Sequence, residues 1–145
     1  MATLTVEVIT GERSLFSESG VDMVSAPGAD GTLGILPNHA ALISTLDAGE
    51  LVIKKGGSED RMVVFGGFIE VLFNKVLILA DSAERIDEID LDRAEQSRER
   101  AAESLRNRKE ITDIAAEEAA LKRAAVRLRV GRRRAGHRAT VPGGN

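Results

Sequence analysis

Two hydrophobic rhythms divide this chain. Over roughly the first 80 residues apolar positions recur every second residue. Leu4, Val6 and Val8 alternate with Thr5 and Glu7, and Val21, Met23 and Ser25 continue such a pattern. A period of two belongs to a half-buried strand. Leu51-Val52-Ile53, Met62 to Phe65, Phe68 to Phe73 and Val76 to Ala80 add short apolar strands. Asp30-Gly31 and Gly56-Gly57 are turn signals, and Asn74-Lys75 is placed to close the last two strands into a hairpin. Gly66-Gly67 interrupts a strand pattern, which predicts a bulge or a close backbone approach. Many short strands with frequent turns predict a β-sandwich or flattened barrel over residues 1–86.

After Asp81–Asp90 the rhythm changes and Ala, Arg and Glu dominate. Leu91, Ala94, Ala101, Ala102 and Leu105 share a face at 100° per residue, and so do Ile114, Leu121, Ala124, Ala125 and Leu128. These are two amphipathic helices, with Asp90 as N-cap of the first. Asn107-Arg108-Lys109 forms the break, Thr112 or Asp113 starts the second helix, and Gly131 ends it. A short break makes an antiparallel hairpin over residues 87–131. With the turn centred near Asn107-Arg108, Leu91 faces Ala124. Arg98 then meets Glu117, Arg123 faces Asp92, and Arg127 faces Glu88. Much of the seam is Ala, so the predicted hairpin is weakly held and able to move. Residues 132–145, with Arg132-Arg133-Arg134 and Arg138, read as a basic, disordered tail. The fold class is therefore α+β, mainly β in the first half.

Composition narrows the chemistry. The chain of 145 residues has no Cys, which excludes thiol catalysis, disulfides and Cys-ligated metals. Aromatic content is 3% with no Trp or Tyr, which argues against a surface that stacks bases or sugars. Net charge is −3, so nothing pulls the whole chain toward nucleic acid. The N-terminus lacks the pattern of a signal peptide, and no apolar run approaches the roughly 20 residues of a membrane span.

Residues 27–51 look catalytic but read better as scaffold. His39 follows Pro37-Asn38 with no acid or hydroxyl at a telling spacing, so a buried, hydrogen-bonded turn residue is expected. Gly28, Gly31 and Gly34 have the wrong spacing for a dinucleotide or phosphate loop and read as turn glycines. The more suggestive group is basic. Arg93 and Arg100 are seven apart, and Arg123 and Arg127 four apart, so each pair shares a helix face. Four guanidinium groups on the flank of one hairpin repel unless carboxylates or an anion lie between them. Salt bridges to Asp92, Glu95 and Glu88 are one solution. A bound polyphosphate is the other, because guanidinium forks match phosphate oxygens.

Gly31-x-Leu33-Gly34-Ile35-Leu36-Pro37-x-His39-Ala40-x-Leu42, Gly66-Gly67-Phe68-x-Glu70-Val71 and Val76-Leu77-Ile78-Leu79-Ala80-Asp81-x-Ala83-Glu84 resemble, in order and spacing, motifs of the ε subunit of F-type ATP synthases. The resemblance covers residues 1–130. It implies a ten-stranded β-sandwich followed by a helical hairpin, in a non-catalytic rotor subunit of the central stalk. It implies a peripheral position on the cytoplasmic face of a bacterial plasma membrane. The implied partners are the γ subunit, the membrane c-ring through Asp30, Gly31, Thr32 and Leu33, and a catalytic β subunit in an inhibited state. Lys122, Arg123, Arg127 and Arg129 are the expected inhibitory contacts. No cofactor is required. Ile89, Asp90, Arg93 and Ala94 match the Ile-Asp-x-x-Arg-Ala motif of ATP-binding ε subunits. Arg100, Arg123 and Arg127 match their phosphate-contacting arginines, and Glu84 their adenine-side glutamate. ATP is thus implied as a regulatory ligand. Thr32 departs from the pattern, since many relatives carry Glu there. The rival readings are a stand-alone β-sandwich with a coiled-coil adaptor arm, and a nucleotide-processing enzyme. The enzyme would need a base near the arginines, where only Asp90 and Asp92 are at hand.

Overall fold

The computed structural model describes the backbone of residues 2–106 and 111–140, and the side chains of 2–106 and 114–132. It divides into two compact units, Met1–Arg85 and Ile86–Asn145. The predicted break at Asn107-Arg108-Lys109 and the closing Pro-Gly-Gly-Asn lie outside the described residues.

Among the described residues the first unit holds eight strands: β1 (Leu4–Ile9), β2 (Ser14–Val21), β3 (Met23–Gly28), β4 (Gly31–Ile35), β5 (Leu42–Lys55), β6 (Ser58–Leu72), β7 (Lys75–Ala80) and β8 (Ala83–Arg85). They pair in the order β2-β1-β7-β6-β5-β3-β4, with β8 on β6. All ladders are antiparallel except β1 with β7, where Thr5 to Ile9 run alongside Lys75 to Leu79.

The expected count was ten, and the difference lies in β5 and β6, which run unbroken for 14 and 15 residues. Each changes the parity of its inward residues midway. On β6 the core takes Met62 and Val64, then Ile69 and Val71. On β5 it takes Leu46, then Leu51 and Ile53. A strand with period two can feed one core from both parities only by turning over between layers. The turnover on β6 is at Gly66 and Gly67, with φ of 80° and 117°. A Cβ on Gly67 would lie 2.0 Å from the Leu79 carbonyl oxygen. The bulge or close approach expected there is a close approach, and only glycine fits it.

The core joins Leu4, Val6, Val8, Val21, Val24 and Ile35 to those β5 and β6 residues, with Val76 and Ile78 from β7. The alternation read in β1 therefore marks the buried face. The β6–β7 turn is Phe73-Asn74, with Leu72 paired to Lys75, one residue earlier than Asn74-Lys75 predicted. Both turn residues have positive φ, 48° and 60°, as a tight hairpin turn requires.

The second unit opens with a 3-10 turn at Ile86–Glu88, then α1 (Leu91–Arg106) and α2 (Ile111–Thr140). Asp90 caps α1 as expected: the Arg93 amide donates to its Oδ1 at 3.1 Å, and the Ala94 amide to its carbonyl at 3.0 Å. Gly131 does not end α2. It is absent from the positive-φ residues and the helix continues to Thr140, so residues 132–140 are helical rather than a disordered tail. Gly131 is instead where the helices meet: a Cβ there would lie 2.5 Å from Leu91 Cδ2 and 3.4 Å from Ile89 Cγ2.

That contact corrects the register. Leu91 meets Gly131, seven residues beyond Ala124. Arg98 does not need Glu117, because it pairs with Glu95 of its own helix at 3.2 Å.

Candidate functional site

Three surfaces stand out, two on the first unit and one on the second. The first follows from the turnover at Gly66-Gly67. Past it, Ile69 and Val71 point inward, so Phe68 points out. Register places Phe68 beside Leu79 of β7 and diagonal to Ile43 of β5. These three apolar side chains are exposed, Ile43 at 74% and Phe68 at 55%. Leu77 and Ile9, half-buried, continue the same outer face across β7 and β1. Contiguous exposed apolar residues on a sheet face make it a candidate docking surface.

The second surface is the β3–β4 turn. Gly28 pairs with Gly31, leaving Ala29 and Asp30 at the tip. Asp30, Gly31 and Thr32 are exposed, while Leu33 packs partly on the core. His39 nearby is half-buried rather than buried. Its Nδ1 lies 2.7 Å from the Ala40 carbonyl and its amide donates to the Leu36 carbonyl at 3.2 Å. That is a turn residue's role. Among the described residues no His, Asp or Glu group is arranged to hold a metal ion.

The third surface is on the hairpin. With Leu91 on Gly131, the part of α2 carrying Arg123 and Arg127 runs alongside the part of α1 carrying Arg93 and Arg100. Turning each helix from the seam at about 100° per residue puts all four on one flank, and Asp92, Glu95 and Glu99 on the other. The acidic flank agrees with the observed bond from Arg132 Nη2 to Glu95 Oε2 at 2.7 Å. Arg93, Arg100 and Arg123 are exposed and have no carboxylate partner among the described residues. The Arg100 Nε reaches only its own helix, the Gln96 carbonyl at 3.4 Å. The salt bridge expected between Arg123 and Asp92 is therefore not formed. Arg127 is half-buried and engaged. Lys122 and Arg129 are exposed, and helical geometry puts them away from this flank.

Of the remaining predicted site residues, Asp90 is the N-cap and Ile89 contributes to the Gly131 contact. Glu84 belongs to the first unit, on β8 opposite Val63 of β6. Two shifted titrations lie on the sheet. Arg61 donates to Glu59 at 2.7 Å and to Glu50. Its hydrogen bond holds the Glu59 carboxyl below the usual range, and the two carboxylates raise the Arg61 guanidinium. This ion cluster ties β6 to β5 through Arg61 and Glu50. The apolar outer face was not anticipated. The available signal was that Phe68 to Phe73 is apolar at both parities.

The two units match two family models: the β-sandwich domain of the ATP synthase delta/epsilon chain over residues 3–86, and its long α-helix domain over residues 87–131. The ATP synthase epsilon chain of Dehalococcoides mccartyi (strain ATCC BAA-2100) is 49% identical over 138 residues, covering 94% of this chain and 98% of that one. That of Herpetosiphon aurantiacus is 50% identical over 131 residues, covering 90% and 96%. The fold is also that of a chain in the Euglena gracilis mitochondrial ATP synthase structure of OSCP, F1 and c-ring. That pair shares a TM-score of 0.77 and 24% identity over 86% of this chain and 79% of that one. With a sandwich and a helical hairpin that both fit, and half its residues shared with bacterial members, this chain belongs to the ATP synthase epsilon chain family.

Proposed function

We propose that this chain is the non-catalytic rotor subunit of the central stalk of a bacterial proton-translocating ATP synthase. It works at the cytoplasmic face of the plasma membrane and couples c-ring rotation to ATP synthesis in the catalytic head. The observation that carries this reading is the apolar outer face of Ile43, Phe68 and Leu79, which calls for a permanent partner. The γ subunit is that partner. The exposed turn of Asp30, Gly31 and Thr32 presents carbonyls, a hydroxyl and one carboxylate to the polar loops of the c-ring, with Leu33 anchoring it. A pull-down of γ by the full chain tests the reading. The rival, a stand-alone adaptor, leaves γ unbound.

A second function rests on the arginine flank. The hairpin has a closed state and an opened one. Opened, α2 presents Lys122, Arg123, Arg127 and Arg129 to an acidic segment of a catalytic β subunit and stops ATP hydrolysis. Closed, Arg93, Arg100, Arg123 and Arg127 hold the phosphates of a regulatory ATP, beside the Ile89-Asp90 start of α1. What supports this is that Arg93, Arg100 and Arg123 meet no carboxylate among the described residues. ATP at 100 times its dissociation constant stabilises the closed state by about 2.7 kcal/mol. A seam made largely of Ala is switchable by that much. Calorimetric titration of the full chain with ATP tests it: one site with saturable heat is expected, and no heat at millimolar ATP overturns it.

A further inference from the structure

Gly131 is out of place by helix chemistry. A glycine inside a helix weakens it roughly five-fold relative to alanine, and α2 carries on for nine more residues beyond it. Its φ is not positive, so it does no capping work. It is buried, and Leu91 Cδ2 occupies the space a Cβ would need. One residue on, Arg132 bonds Glu95 across the helices at 2.7 Å. Glu95 also holds Arg98 through its other oxygen at 3.2 Å. The bolt and its clasp thus sit one helical turn apart on α1, at Leu91 and Glu95.

We propose that Leu91 seated in the Gly131 notch, clasped by Glu95 and Arg132, is a lock that keeps the hairpin closed without any ligand. The glycine is what couples helix strength to closure. Opened, α2 carries an uncompensated weak point. Closed, the notch admits Leu91 and the loss is recovered in packing. Arg132 lies one residue past the matched helical domain, which ends at residue 131. The lock rests on the opening hairpin proposed above, but not on the nucleotide. It needs no ATP, and failure of ATP to bind would leave it intact.

The test uses the full chain without nucleotide. Because the chain has no Cys, spin labels can be placed cleanly at Gln96→Cys and Ala125→Cys, both exposed. Pulsed electron resonance then gives the closed fraction. Gly131→Ala is expected to lower the closed-to-open ratio about two-fold, because the Leu91 Cδ2 in its way ends a side chain that can shift, while far-UV circular dichroism holds or rises, because alanine strengthens α2. Leu91→Ala is expected to lower the same ratio with the helix signal unchanged. Arg132→Glu is expected to lower it about three-fold, and high salt to remove most of the difference between Arg132→Glu and the parent. An unchanged closed fraction in both Gly131→Ala and Leu91→Ala overturns the lock. So does a closed fraction that falls only together with the helix signal, which would mean that the helices melt rather than part.

Discussion

Asn38 and Asn74 clasp each other across two turns: the Asn38 amide donates to Asn74 Oδ1 at 2.6 Å, and Asn74 Nδ2 donates to Asn38 Oδ1 at 3.3 Å. Both have positive φ, 68° and 60°. The Asn74 carbonyl also accepts the Thr5 amide at 2.8 Å. The pair ties the loop after β4 to the β6–β7 hairpin and to the start of β1. Asn74→Gly keeps the backbone and loses the side-chain bonds, at a cost of about 1 kcal/mol. Asn74→Ala loses both and costs about 2 kcal/mol. Thermal melts of the two variants should rank in that order, and equal midpoints would sink the claim that backbone strain contributes.

Gly67 should be the least replaceable glycine of the sandwich. Its added Cβ would strike the Leu79 carbonyl at 2.0 Å, and its φ of 117° suits no other residue. Gly67→Ala is expected to cost more than about 3 kcal/mol. Gly57, with φ 83° but open space around it, should lose only about 1 kcal/mol on the same change. Urea midpoints for the two proteins check the contrast.

The Arg61 fork makes stability depend on acid. Glu59 has a folded pKa lowered chiefly by the Arg61 hydrogen bond. A lowered carboxyl stabilises the fold above its unfolded pKa and loses that stabilisation as pH falls through its folded value. Arg61→Met should therefore destabilise at pH 7, by less than about 1 kcal/mol because the groups are partly exposed. The difference should shrink as pH drops below about 4.5. Denaturant titrations at pH 7 and pH 3 measure it, and a gap that widens in acid would contradict the assignment.

Charging the apolar face separates docking from folding. Ile43→Asp and Phe68→Asp alter exposed side chains, so the melting temperature should change little. Binding to the γ subunit should weaken more than ten-fold, about 1.4 kcal/mol, for each. Surface plasmon resonance with immobilised γ gives the answer. Undiminished binding would move the interface elsewhere.

Removing two arginines should remove the nucleotide response. Arg93→Ala combined with Arg127→Ala takes one guanidinium from each helix on the shared flank. The double variant should no longer compact with ATP in small-angle scattering. If it still compacts, the phosphate site is not on this flank.

The faces of the helices were legible in the sequence, but their axial register was not. At 3.6 residues per turn a face returns almost exactly after seven residues. Ala124 and Gly131 therefore look alike to any argument from periodicity, and only packing tells them apart. Leu91 chooses Gly131 because the missing Cβ leaves room for its Cδ2. Asp90 was readable because capping is local chemistry. In the sandwich, the alternation of Leu4, Val6 and Val8 gave the buried face directly. The long strands hid their turnover, since Met62 to Val64 and Ile69 to Val71 each look like a separate strand. The outer face of Ile43, Phe68 and Leu79 was obscured for the same reason. The shared faces of the arginines were readable from spacing, yet that Arg93, Arg100 and Arg123 meet no carboxylate among the described residues depended on which flank each carboxylate occupies.

The parallel ladder between β1 and β7 sets a timetable for synthesis. β1 leaves the ribosome first and can pair early with β2, its neighbour in sequence. Its other edge stays open until residues 75–79 have been made. A nascent chain stopped anywhere before β7 therefore carries a Val-rich strand edge with nothing on it, the state most prone to pairing with the wrong chain. Long-range closure of this kind also slows folding. The hairpin of α1 and α2 is translated only afterwards, once every strand of the sheet has been made.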